Sequence, residues 1–102
     1  YMPDAIRAAI ELMEAPTDAL QHRNAFNLTA VQFTPGQLHA ELCKHFPDFK
    51  VTYEIDPIRQ AIADSWPNSM DDSAARDEWG WKHTFAMEAM VNDMILHLRE
   101  QW

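Results

Sequence analysis

Apolar positions recur at helical spacing near both ends of the chain and in its middle, and alternate in two segments between. After Pro3, the spacing of Ile6, Ala9, Ile10 and Met13, with Arg7, Glu11 and Glu14 turned away, predicts an amphipathic helix that Asp4 caps and Pro16 ends. Met87, Met90, Val91, Met94, Ile95 and Leu98 predict a second and more regular one, running to about Arg99. In "FTPGQL", Thr34 stands at a cap position, Pro35 at the first helical position and Gln37 three after the cap, the residues of a capping box. The helix it opens is expected to carry Leu38, Leu42 and Phe46 toward a core and to stop at Pro47.

The alternating segments have the period of a strand. "NAFNLTA" puts Phe26 and Leu28 opposite Asn27 and Thr29, and "FKVTYEI" puts Phe49, Val51, Tyr53 and Ile55 opposite Lys50, Thr52 and Glu54. Strand, capped helix and strand in succession read as a βαβ unit with parallel strands and a right-handed crossover, so the expected fold class is α/β with flanking helices. Residues 57–70 read as irregular, with one helical turn around Ile58 to Ala63. "DDSAARDEWGW" predicts a short helix capped by Asp72 or Asp71 and closed near Gly80, with Trp79 and Trp81 packing about its end.

Composition narrows the functional classes. With 102 residues, 47% of them apolar, the chain is expected to form one small domain, 1–102, with a modest core. Sixteen acidic against eight basic residues give a formal charge of −8 and no basic run, a field that repels phosphate backbones and anionic lipid. Neither nucleic acid nor membrane is an expected partner, and no apolar run is long enough to cross a bilayer. The single cysteine, Cys43, forbids an internal disulfide and favours an intracellular setting. The chain begins without an initiator Met, which is compatible with a fragment of something longer.

Candidate chemistry is sparse. His39 and Cys43 are one helical turn apart and could ligate a metal from one face, but His45 points away from both, and Cys43 reads as an ordinary small buried residue; no metal is expected. Nothing marks an oxyanion hole for Cys43 as a nucleophile. Asp64, Asp71 and Asp72 read as caps and solvated turns in preference to an acid/base pair. The only glycines are Gly36 and Gly80, which precludes a glycine-rich phosphate loop, and neither Tyr1 nor Tyr53 has a lysine four residues on. The residues therefore nominate no catalytic, cofactor-binding or metal-binding group.

The order of the pieces "YMPDAIRAAIELMEAP", "FNLTAVQFTPGQLHAEL" and "FKVTYEIDPIRQAIADSWPNSMDDSAARDEWGWK" resembles the C-terminal third of the L-threonine 3-dehydrogenases of the short-chain dehydrogenase type, relatives of the UDP-galactose 4-epimerases. The run "RQAIADSWP" is the most particular part of the likeness. The resemblance implies a small C-terminal substrate-binding lobe of an extended short-chain dehydrogenase, with the Rossmann lobe, its NAD site and its Tyr-x-x-x-Lys pair absent. It implies an NAD-dependent parent enzyme that oxidises L-threonine to 2-amino-3-oxobutyrate, homodimeric, in bacterial cytoplasm or mitochondrial matrix, with this chain inactive alone. Under it, the helix over 1–16 packs on the missing lobe, Trp66 of "DSWP" is a substrate-pocket wall, and Arg59 is a structural ion-pair partner. Ala86 stands where relatives often carry a polar helix cap. A nucleotide-sugar epimerase or dehydratase lobe and a free-standing acidic protein-binding module are the alternatives.

Overall fold

The computed structural model describes all residues, Tyr1–Trp102. In chain order its helices are α1 (Met2–Glu14), a 3₁₀ turn (Thr17–Ala19), α2 (Pro35–His45), α3 (Pro57–Asp64), α4 (Ser73–Trp79) and α5 (Met87–Gln101). They fall into two compact units: Tyr1–Val31 with Met70–Trp102, and Gln32–Ser69.

In the first unit, Ala8 of α1, Ala75 of α4 and Trp81 form a buried cluster against which Phe26, Leu28 and Trp79 pack. Small residues at 8 and 75 let the two helices approach closely enough for the Trp81 ring to be covered. Gly80 makes this possible, because its φ of 73° turns the chain through the left-handed region at the end of α4 and directs Trp81 back over it. The rings of Trp79 and Trp81 lie 5.9 Å apart, as expected of residues packing about a helix end. In α5 only Val91 of the apolar stripe is buried, and Met94 and Leu98 remain exposed. Ala86 stands at its N-cap and supplies no side-chain cap.

Asp4 does not cap α1, which starts two residues earlier with Tyr1 at the cap position. The carboxylate is buried and reaches across the unit instead, accepting the backbone N–H groups of Thr84 (3.0 Å) and Phe85 (3.0 Å) and a guanidinium bond from Arg7 (3.1 Å). Burial pushes the Asp4 carboxyl up, but the N–H groups of Phe85 and Thr84 and the Arg7 charge outweigh it and hold it below the usual carboxylate range. Arg7 also bonds Glu11 (2.6 Å) and lies 4.9 Å from the Trp81 ring centroid, a cation–π distance. A second carboxylate works in the same way: Glu78 of α4 accepts the backbone N–H groups of Gln21 and His22 and meets the His22 ring at Nδ1 (2.5 Å), fixing the loop after the 3₁₀ turn.

The expected βαβ unit is not formed, for the chain contains no strand. Alternation specifies which face of an extended segment is buried, but a strand also needs a neighbouring backbone to accept its ladder. At 26–29 the face is as expected, with Phe26 and Leu28 inward. The backbone of Thr29 is bonded to side chains, its carbonyl to the Trp81 indole N–H (3.2 Å) and its N–H to the Asp72 carboxylate. In the second unit the Phe49 carbonyl accepts from His39 (3.0 Å), and Val51, Tyr53 and Ile55 are left exposed.

The second unit opens with the expected capping box at α2. The Thr34 hydroxyl accepts the Gln37 N–H (3.3 Å) and the Gln37 side chain accepts the Thr34 N–H (2.8 Å). Leu42, Phe46 and Phe49 line a small, open apolar hollow there, and Phe46, expected to face a core, stays exposed.

Candidate functional site

The segment carrying Trp66 is more ordered than its sequence pattern implies. The expected single turn is an eight-residue helix, α3, because Asp56 caps it: one carboxylate oxygen accepts the N–H groups of Ile58 (2.9 Å) and Arg59 (3.2 Å). Pro57 at the first helical position needs no partner for a missing N–H. "DP" before an apolar pair is the signal for this start, and it is legible once both residues are taken together. Gln60 bonds Asp64 one turn on (2.7 Å).

The end of α3 follows from Pro67. Proline carries no N–H, so the Ala63 carbonyl has no donor four residues on, and the Trp66 N–H bonds it instead (3.1 Å). That shift removes the regular donor from the Ile62 carbonyl, which receives the Ser65 N–H (3.1 Å) and the Ser65 hydroxyl (2.6 Å) in its place. Proline also steers the residue before it away from the helical region, so the chain leaves the helix at Trp66. The ring is thereby presented at the surface of its unit, 68% exposed. Ile58 and Ile62, four residues apart on α3, are exposed as well. At the other end of the helix, Glu54, Ile55, Asp56, Pro57, Ile58 and Arg59 line an open hollow. A solvated indole beside apolar helix positions is suited to closing over an apolar group and excluding water from it.

The remaining candidates take structural places. Arg59 pairs with Asp56 at 3.8 Å while staying 88% exposed at its side chain, so it is a weak surface ion pair. Asp64 bonds Gln60, Asp71 accepts the Ser73 N–H (2.9 Å), and Asp72 grips Arg76 through both oxygens (2.9 and 3.0 Å). Asp71, not Asp72, supplies the carboxylate contact to the start of α4. The pull of Arg76 holds Asp72 below the usual carboxylate range against its partial burial. Cys43 is half-buried, with its sulfur 3.2 Å from His39 Nε2, and no group of three ligating side chains gathers around the pair. Gly36 lies in the first turn of α2 and Gly80 at the end of α4, so the residues present do not fit a dinucleotide phosphate. No helix is long and apolar enough to cross a membrane. The sequence pattern gave no warning of the clamps at Asp4 and Glu78, because their partners are backbone N–H groups far along the chain.

No protein-family model matches the chain. It is 50% identical over 95 residues to the mitochondrial L-threonine 3-dehydrogenase of Sus scrofa, a match covering 93% of this chain and 25% of that protein. It is 48% identical over 101 residues to an uncharacterized epimerase/dehydratase of Staphylococcus haemolyticus, covering 99% of the chain and 32% of the relative. Among solved structures, the L-threonine dehydrogenase of Clostridium difficile superposes with a TM-score of 0.90 at 48% identity, over 99% of this chain and 32% of that one. The chain thus spans a quarter to a third of the length of these proteins. Over that span it is homologous to L-threonine 3-dehydrogenases and to epimerase/dehydratases.

Proposed function

We propose that this chain is the substrate-covering lobe of an NAD-dependent L-threonine 3-dehydrogenase, one that converts L-threonine to 2-amino-3-oxobutyrate in threonine catabolism. The observation that carries the reading is the 48% identity and 0.90 TM-score, over 99% of the chain, to a solved L-threonine dehydrogenase. In this reading Trp66 is a wall of the threonine pocket. Its exposed indole packs on the substrate methyl and keeps water from the reacting carbon when the lobe closes. The rest of the protein supplies NAD binding and the proton acceptor, since neither glycine of this chain is placed for a phosphate loop. The exposed face of α1, formed by Met2, Ile6, Ile10 and Met13, packs on that remaining lobe. The parent is a homodimer of mitochondrial matrix or bacterial cytoplasm.

The test is NADH formation by the longer protein and by residues 1–102 alone, each with NAD and L-threonine. The reading expects turnover by the longer protein and none by the lobe. A natural gene product with the 11.8 kDa mass of this chain would reject it.

A second reading, a lobe of a nucleotide-sugar epimerase or dehydratase, has its own support in the 48% identity to the staphylococcal relative. Two phosphates call for several cationic groups, whereas Arg59 is the only arginine or lysine on α3 and it pairs with Asp56. The threonine reading is therefore preferred.

A further inference from the structure

We infer that Ser65 is a positioning residue, whose hydroxyl fixes the direction in which the Trp66 ring leaves α3; the inference rests on the pocket role proposed for Trp66. A ring 68% exposed has little packing to hold it, so its place depends on the backbone that presents it. That backbone is set by a chain of consequences beginning at Pro67. The missing proline N–H draws the Trp66 N–H onto the Ala63 carbonyl, and the Ile62 carbonyl loses its regular donor. Ser65 supplies the replacement from its side chain at 2.6 Å, while its own N–H is divided between the carbonyls of Ala61 (3.2 Å) and Ile62 (3.1 Å). The hydroxyl thus helps close the last turn with Ser65 in the helical region (φ −78°, ψ −14°), one residue before Trp66, which Pro67 disfavours there. Without it, the last turn keeps only its backbone bonds, the Ser65 N–H to Ala61 and Ile62 and the Trp66 N–H to Ala63, so it opens more readily and the indole swings with it; displacement of a pocket wall by an ångström is enough to slow a reaction that depends on placement. Serine, tryptophan and proline in "SWP" then have separate duties: the proline forces the exit, the serine locks it, and the tryptophan is what is delivered.

The experiment compares Ser65→Ala and Ser65→Thr with the parent in the longer protein, reading two quantities. One is the Trp66 indole ¹H–¹⁵N resonance, assigned by its loss in Trp66→Phe; the other is the set of steady-state constants for threonine and NAD. Ser65→Ala is expected to broaden or split the indole resonance and to lower kcat/KM for threonine about 3- to 10-fold, the scale of one lost hydrogen bond, with KM for NAD unchanged. Ser65→Thr, which keeps the hydroxyl, is expected to restore both. An indole resonance in Ser65→Ala identical to that of the parent overturns the inference. A perturbed indole with unaltered threonine kinetics upholds Ser65 as the residue that sets the ring and overturns the pocket role of Trp66.

Discussion

Trp66 and Asp4 are both residues whose neighbours in sequence conceal their work. Trp66 is a large apolar ring in an irregular, polar stretch, and its exposure makes sense only when Pro67 and the end of α3 are considered together. Trp66→Ala should raise the threonine KM and lower kcat, with kcat/KM reduced on the order of 10- to 100-fold and NAD affinity nearly constant, the pattern of a lost pocket wall. Steady-state kinetics at varied threonine and fixed NAD would show it, and unchanged constants would remove Trp66 from the site. Asp4 is the opposite case, a carboxylate in a helical first turn that pattern reading assigns to a cap and the fold uses as a tertiary tie. Asp4→Ala leaves the Thr84 and Phe85 N–H groups and the Arg7 guanidinium without their acceptor and should destabilise by about 2–4 kcal/mol in denaturant unfolding. Because the folded Asp4 carboxyl lies below its ordinary value, its contribution is present above the unfolded pKa and is lost as pH falls through the folded one. Below about pH 4, therefore, stability should fall more steeply in the parent than in Asp4→Asn. Parallel acid limbs would show that the Asp4 charge contributes nothing.

Among the elements, those with local causes were legible and those with distant partners were not. The capping box at Thr34, the Gly80 stop and the amphipathic spacing of α5 are written within a few residues, and each element is found where that chemistry places it. Thr34→Ala should cost about 1 kcal/mol. Gly80→Ala should cost about 1–2 kcal/mol, because a Cβ at φ 73° is strained although nothing lies within 4 Å of it. Urea midpoints of the two variants check both figures; an unshifted Gly80→Ala midpoint would mean that the left-handed turn is not needed. The strands failed for a physical reason. Phe26 and Leu28 do face inward, yet Thr29 gives its backbone groups to Trp81 and Asp72, and Val51, Tyr53 and Ile55 stay exposed. Period-two patterning records the face that burial selects and is silent about what lies alongside. The start of α3 is the exception, a local signal carried by Asp56 and Pro57 jointly and by neither residue alone.

The whole molecule carries the marks of a part. In the first unit α1 leaves Met2, Ile6, Ile10 and Met13 exposed, and in the second Ile58, Ile62 and Trp66 are exposed. The chain covers about a third of a solved relative that it matches almost end to end. The family was legible from the order of its pieces and from "RQAIADSWP", whereas the role of Ser65 needed hydrogen bonds that no pattern encodes. In the longer protein, Ile10→Glu should weaken the packing of α1 and lower the thermal midpoint by several degrees, about the effect of 1 kcal/mol or more. A midpoint equal to the parent's would leave that face without a partner. The central claim, that this lobe selects threonine, is tested most directly by the substrate preference of the longer protein in the presence of NAD. The account expects NADH to accumulate with L-threonine and UDP-galactose to be recovered unchanged. Conversion of the sugar nucleotide with no oxidation of threonine would contradict it.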